Sequence, residues 1–364
     1  MEPIIPGYIP PDFSLPELAS APVVKTAPAP KDGVVPANYH GTSNYPEYLH
    51  LGGGDWLLAS ESRMDSVLVL KDRQVDVVEA RRVKQGDEVV IGRTEDGEEG
   101  IYVHTTGFEP PSMAEGDKFA FRTRGTRETP FSRSYDDLYH VLRHDRDHGY
   151  ITWVLGPAVA FDKDSRDAMQ GLIESGYCHS LLAGNALATH DLEAAYFRTG
   201  LGQDIYTQHL KPMGHYNHLD IINEVRKAGS IKQAISDLQL KDGIIYACEK
   251  EKVPYVLAGS IRDDGPLPEV ISDVYAAQDA MRTHARKTTT VIALATQLHS
   301  IAFGNMVPSY RVMDDGSVRP VFFYIVDMTE FSADKLANRG SAQAVAILTN
   351  AQDFMMNLWN NLKK

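Results

Sequence analysis

Cysteine is scarce in these 364 residues: Cys178 and Cys248 are the only two, and neither sits in a C-x-x-C pair. A disulfide framework or a thiolate zinc site is therefore not expected, and both thiols read as reduced. No apolar run approaches the roughly 20 residues needed to cross a bilayer. The opening MEPIIPGYIPP has neither the basic flank nor the apolar stretch of a secretory leader. Basic residues are outnumbered, 36 Lys and Arg against 49 Asp and Glu, for a net charge of −13. Without a surplus of positive charge, general nucleic-acid or anionic-membrane binding is not expected. An anionic cofactor remains open, because it needs only a few local donors. These absences together lead us to expect a cytoplasmic protein. Two catalytic fingerprints are missing as well. The dinucleotide pattern G-x-G-x-x-G has its nearest match at Gly200 and Gly202, without a third glycine, and no G-x-S-x-G elbow supports a serine hydrolase.

What is present suits a globular chain of two domains, with 43% hydrophobic and 23% charged residues. Nine of the 20 prolines fall in the first 36 residues. Residues 1–44 therefore read as an extended arm, either an unstructured leader or a segment that wraps a neighbouring subunit. Residues 45–112 carry short Val- and Ile-rich runs, DSVLVL, VDVVEARRV, DEVVIG and GIYVHTTGF, separated by turn signals such as Gln85-Gly86-Asp87 and Asp96-Gly97. This predicts a small antiparallel β domain. A polar stretch follows, with Arg122, Arg124, Arg127 and Arg133 among small residues.

Over residues 113–364, helical and strand-like segments alternate. Helices are expected over 135–148, 165–175 and 192–197. Strands are expected over 149–156, at 180–184, and over 243–248, 255–258, 290–295, 321–326 and 344–348. Such alternation predicts an α/β domain with a mostly parallel, doubly wound sheet, which binds ligands where strands end and helices begin.

The expected strand ends are glycine-rich and polar. Gly184-Asn185-Ala186 is followed by Thr189, His190, Asp191 and Glu193. Gly259 leads into Ser260, Ile261, Arg262, Asp263 and Asp264. Residues 290–295 lead into His299 and then Gly304-Asn305-Met306, Asp327 closes another strand, and Arg339-Gly340-Ser341 precedes the last. Small residues at such ends let backbone N–H groups approach a pyrophosphate, and a strand-end acid suits a ribose diol. Any one of these turns could equally be a simple strand terminator or helix cap. Their clustering along one edge favours a nucleotide site.

The histidines have bland and functional readings. His140, His144 and His148 recur at i, i+4, i+8, but among Arg143, Asp145, Arg146 and Asp147 they read as a solvated charged face rather than a metal site. His215 and His218 suit ligand contact or helix-start packing. His190 and His299 lie at the cofactor-type turns, where proton transfer would be useful.

The segments GNALATHDLEAAYFRTGLG, INEVRKAGSIKQAI, YVLAGSIRDDGPLPEVISDV, ATQLHSIAFGNMVPS and NRGSAQAVAILTN resemble the LOR/SDH-region family. That family includes archaeal-type ornithine cyclodeaminase and the C-terminal part of arginine dihydrolase/ornithine cyclodeaminase. The likeness runs from about residue 45 to the C-terminus and takes in ESRMDSVLVL and VKQGDEVVIG. It implies an NAD-binding domain shaped like deoxyhypusine synthase. It also implies conversion of L-ornithine, or a close analogue, to L-proline and ammonia through a hydride lent to NAD and returned, and an assembly of two or four copies. Other NAD-dependent amine chemistry, such as imine reduction or aminoalkyl transfer, or a non-catalytic NAD-binding role, are the alternatives on the same scaffold.

Two departures stand out: VLGPAVAF has one glycine where relatives carry two, and FRTRGTRETPFSRS is richer in arginine than the family's serine-rich stretch. The expected cofactor contacts are Gly184, Asn185, Ala186, Ser260, Ile261, Gly304, Asn305, Met306, Asp327 and Ser341. Asp264, His299, Asp263 and His190 are the acid–base candidates, Arg262 and Asp191 the substrate-binding ones, and no metal is expected.

Overall fold

The computed structural model describes residues 5–108, 132–263, 265–329 and 344–363, with side chains from residue 135 onward in the first helix of the α/β domain. Asp264, Ser341 and most of the arginine-rich segment lie outside the described residues.

The N-terminal module is antiparallel throughout. A four-stranded sheet has the order β1 (Lys25–Pro28), β6 (Glu88–Ile91), β4 (Ser66–Lys71), β5 (Gln74–Glu79). A three-stranded sheet has the order β3 (Asp55–Leu58), β2 (Glu47–Gly52), β7 (Ile101–Val103). Leu49, Leu68, Val90 and Ile101 are fully buried between them. The proline-rich stretch is not a free arm. Its β1 pairs with β6, Ile9 N–H donates to the Gly107 carbonyl at 2.8 Å, and Phe13 stacks on Trp56 at 5.0 Å. A single helical turn, α1 (Pro16–Ala19), interrupts it and buries Leu18. Proline fixes φ near the extended region, so a proline-rich strand at a sheet edge loses little entropy on pairing.

The C-terminal domain is built on six parallel strands in the order β12 (Tyr255–Ala258), β9 (Ser180–Gly184), β8 (Ile151–Leu155), β13 (Thr290–Leu294), β16 (Phe322–Asp327), β17 (Ala344–Leu348). Two small antiparallel pairs lie outside it, β10 (Thr199–Gly200) with β11 (Gln203–Asp204), and β14 (Tyr310–Val312) with β15 (Val318–Pro320). The chain moves outward from β8 through β9 to β12, then returns to the other side of β8 and moves outward again from β13 to β17. The doubly wound parallel sheet expected from the sequence is present, with its switch point between β8 and β13.

Side chains alternate between two cores, as the period of two in a strand requires. Trp153 and Leu155 of β8 enter one core and Val154 the other, while Ile292 and Leu294 of β13 oppose Val291 and Ala293. The first core is covered by α2 (Ser132–His148), α3 (Lys163–Glu174), α4 (Asn185–Phe197), α5 (Asn217–Ala228), α6 (Ile231–Asp237), α7 (Ile244–Glu251) and α10 (Ala351–Leu362). The second is covered by α8 (Val274–Ala285) and α9 (Gln297–Met306). Burying Trp153 completely, with its indole N–H on the Tyr177 carbonyl at 2.8 Å, contributes about 2–3 kcal/mol of transfer free energy. Among the described residues no helix is long and apolar enough to cross a membrane.

Two further sequence expectations are corrected here. The apolar run at 243–248 is helix α7, because Gly243 turns the chain at φ +125° and Asp191 accepts the N–H groups of Ile244 and Ile245 at 3.0 and 2.8 Å. Short apolar runs do not distinguish strand from buried helix. The histidine face of α2 is not wholly solvated: Asp145 is fully buried and takes both Arg319 Nη1 (2.9 Å) and Nη2 (3.1 Å).

Candidate functional site at the strand ends

The carboxyl ends of β8 and β13 lie side by side at the switch point, where open parallel sheets leave a crevice. Gly156 N–H donates to the Leu294 carbonyl at 2.9 Å, and a Cβ on Gly156 would overlap the Ala295 carbonyl oxygen. Glycine is therefore required there by backbone packing. Ala295 itself is held at φ +54°, an unusual conformation for a residue with a side chain.

Around this crevice the structure gathers most of the expected residues. Gly184 ends β9 and enters α4 with extended backbone, and Asn185 and Ala186 form the first turn of that helix. Ser260, Ile261, Arg262 and Asp263 follow β12, His299 lies in the first turn of α9, and Asp327 closes β16. His299 reaches over Gly184, where a Cβ would lie 3.3 Å from its Cε1. Burial lowers the His299 pKa and the nearby Asp263 carboxylate partly offsets this, so the imidazole is held neutral below its usual range.

The 260–263 turn closes on itself: Ser260 N–H donates to Asp263 Oδ2 at 2.8 Å and Arg262 N–H to Ser260 Oγ at 3.2 Å. Asp327 Oδ1 accepts Thr329 N–H at 2.9 Å. Neither helix that begins at this crevice, α4 after Gly184 or α9 after Thr296, has a side-chain cap. Elsewhere α3, α6, α8 and α10 are capped by Asp162, Ser230, Asp273 and Asn350, α7 has Asp191 on its first N–H groups, and α5 also lacks a side-chain cap. Uncapped first-turn N–H groups at a glycine-lined strand end fit the phosphates of a dinucleotide. Large apolar side chains also stand exposed at three strand ends, Ile261, Leu298 at 82% and Met328 at 76%.

Other expected residues lie elsewhere. Gly304, Asn305 and Met306 occupy the far end of α9, about 7 to 11 Å along the axis from His299 at about 1.5 Å per residue. There Met306 is buried in the second core, and the Asn305 carbonyl accepts Arg63 Nη1 at 2.6 Å. Asp191 is buried under α7, with Arg166 Nε on its Oδ1 at 2.7 Å.

His190 sits in the second turn of α4, donating Nδ1–H to Glu193 Oε2 at 3.0 Å, edge-on to Phe161 and stacked on His218 at 4.9 Å. His190, Glu193 and His218 form the one group among the described residues with metal-ligand spacing. Their geometry suits proton sharing better. Stacked rings, 28° apart, run their in-plane lone pairs alongside each other, and Glu193 already accepts Thr199 Oγ1 (2.8 Å), Leu201 N–H (3.2 Å) and Gly202 N–H (3.1 Å). Burial pushes the Glu193 pKa up, but the His190 and Gly202 hydrogen bonds outweigh it and hold the carboxyl ionised below its usual range.

Arg166 was not legible as a site-shaping residue, since it lies on an ordinary amphipathic helix. Asn185 has a role that its turn did not reveal: its Oδ1 accepts Leu267 N–H at 3.0 Å and so ties the loop after β12 to the start of α4.

The sheet, its switch point and these turns define a protein of the dinucleotide-binding architectural class. Residues 137–358 match the family model described as arginine dihydrolase ArgZ-like, C-terminal, Rossmann fold, and the chain belongs to that family. An ornithine cyclodeaminase from Methanopyrus kandleri is 38% identical over 346 residues, which cover 94% of this chain and 79% of that protein. A conserved LOR/SDH protein from Methanococcus maripaludis superposes with a TM-score of 0.83 at 35% identity, covering 94% of this chain and 98% of the other. The ternary complex of AgrE with ornithine and NAD⁺ superposes at 0.58 with 28% identity, over 96% of this chain and 47% of that longer one.

Proposed function

We propose that this chain is an NAD-dependent cyclodeaminase that converts L-ornithine, or a close analogue, to L-proline and ammonia. The observation that carries this reading is the His299 imidazole poised over Gly184 at the mouth of an uncapped, glycine-lined crevice. It is supported by the similarity to ornithine cyclodeaminases along 94% of the chain.

When bound, NAD would supply reversible acceptance of a hydride at the substrate α-carbon. The residues of the chain do the rest. The first turns of α4 and α9 would hold the phosphates, and Asp327 the ribose hydroxyls. Neutral His299 would take the proton from the side-chain amine as it attacks the α-carbon and return one to the departing ammonia. Asp263, beside it, would hold the substrate ammonium, with Asp264, the next residue in the sequence, as a second carboxylate. Arg262 would pair with the substrate carboxylate through its planar fork. The exposed Ile261, Leu298 and Met328 would exclude water once covered by ligand or by a second copy of the chain.

The test is mass analysis of nucleotide released from the gently denatured protein, followed by assay of proline and ammonia after addition of ornithine. Released NAD with equimolar proline and ammonia supports the proposal. Released NAD without turnover would leave other NAD-dependent amine chemistry as the reading.

A further inference from the structure

Between α4 and α5 the chain makes an excursion over residues 198–216 that is held along its length. Its root hangs on Glu193, which accepts Thr199 Oγ1 and the N–H groups of Leu201 and Gly202. Farther out, the Ile205 carbonyl accepts Lys163 N–H at 3.0 Å and the Gly202 carbonyl accepts Lys211 N–H at 3.1 Å. Asp204 Oδ1 accepts Tyr206 N–H at 3.0 Å and Thr207 N–H at 2.9 Å. Gly202 packs backbone to backbone on Gly214, with no room for a Cβ.

On this fixed frame stand Leu201, Tyr206, Leu210, Met213, Tyr216 and Leu219, all 47–78% exposed. The Gly202–Gly214 contact sets Leu201 and Met213 on adjoining backbone, and Leu210 bridges to Gln203 of the same hairpin. Tyr216 and Leu219 are three residues apart at the start of α5, on one face. Leu201 and Met213 have left-handed backbone, φ +53° and +59°. Glycine would adopt it at less cost, and neither side chain is buried in return, so folding of the single chain does not account for them.

We propose that this face is where a second copy of the chain docks, the two copies meeting through the same six side chains about a two-fold axis. At roughly 200 Å² for a fully exposed residue of this size, the six present about 700 Å². The largest apolar patch of a typical monomer is roughly 300–600 Å². Two copies together would cover about 1,400 Å², within the roughly 1,200–2,000 Å² of a stable interface. Charge favours the same occupant. Asp204 and Lys211 are the only Asp, Glu, Lys or Arg over residues 199–219, and they pair at 3.1 Å. Chains of net charge −13 repel over most of their surface and approach most easily at a neutral face. An anionic membrane needs a basic surplus that this face lacks. The inference is independent of the cyclodeaminase reading, because assembly is measured without substrate or cofactor.

The experiment is sedimentation equilibrium of the full chain from about 1 to 100 µM. The test variant is Tyr206→Asp with Leu210→Asp, and the control is Val23→Asp, at an exposed position of the β module. Wild type and control are expected to form dimers or larger assemblies. The double variant, with unchanged circular dichroism, is expected to show half that mass or less, or a dissociation constant raised about thirtyfold or more. Leu210→Ser, a milder change at a position outside the core, is expected to weaken assembly about tenfold. A wild type that stays monomeric at the highest concentration would overturn the proposal, and if that monomer bound phosphatidylcholine vesicles the face would belong to a lipid surface. Undiminished assembly in the folded double variant or in Leu210→Ser would overturn it as well.

Discussion

Arg166 donates Nε to Asp191 Oδ1 at 2.7 Å with both side chains 1% exposed, and the same carboxylate accepts the first N–H groups of α7. Asp191 thus joins α3, α4 and α7 beneath the strand ends. Removing Asp191 leaves the buried guanidinium with Asp242 alone and strips the first N–H groups of α7 of their acceptor. Asp191→Ala is expected to lower unfolding stability by about 3–5 kcal/mol, read as a shift in the denaturant midpoint. An unchanged midpoint would contradict this structural role.

His299 is expected to behave differently. Its base form is the neutral one, so kcat/KM should fall as pH drops through its pKa. Because that pKa is depressed by burial, the acid limb should lie below the ordinary imidazole value of about 6.5. His299→Gln should retain cofactor but lose turnover by about 100-fold or more. A folded variant with wild-type turnover and an unchanged acid limb would remove His299 from the chemistry.

Gly156 has room for a hydrogen and nothing larger beside the Ala295 carbonyl. Gly156→Ala should force the ends of β8 and β13 apart, cost about 1–3 kcal/mol, and reduce the nucleotide retained on purification. The comparison of thermal unfolding and released nucleotide with the wild type checks both effects.

The Asp145–Arg319 pair gives a pH signature. Burial alone would raise the Asp145 pKa, but the Arg319 charge and hydrogen bonds, with those from Thr289 and His144, outweigh it and hold the carboxyl below its usual range. A carboxyl with a depressed folded pKa contributes stability that is fully present above the unfolded value of about 3.9. That contribution is lost as pH falls through the folded pKa. Asp145→Asn should therefore destabilise the protein near neutrality and flatten its stability loss in acid, as measured by urea unfolding across pH.

The sheet was legible in the sequence because buried parallel strands are short apolar runs between helices, as at 151–155 and 290–294. The run at 243–248 misled because its helix is fixed by Asp191, a contact with another helix that no local pattern records. The arm misled for a related reason: proline content describes an extended backbone but not what it pairs with, here β6. In the site, glycine turns and polar helix starts marked Gly184, Ser260 and His299. Spacing along the chain then suggested that Gly304 and Asn305 belonged with them, whereas a helix rising about 1.5 Å per residue carries them to its other end.

The central claim concerns the α-carbon hydrogen of the substrate. With L-ornithine deuterated at that carbon, a hydride that is lent and returned gives L-proline that keeps the deuterium, with one ammonia per proline. Absence of proline, or proline whose deuterium has been exchanged for solvent hydrogen, would contradict the account.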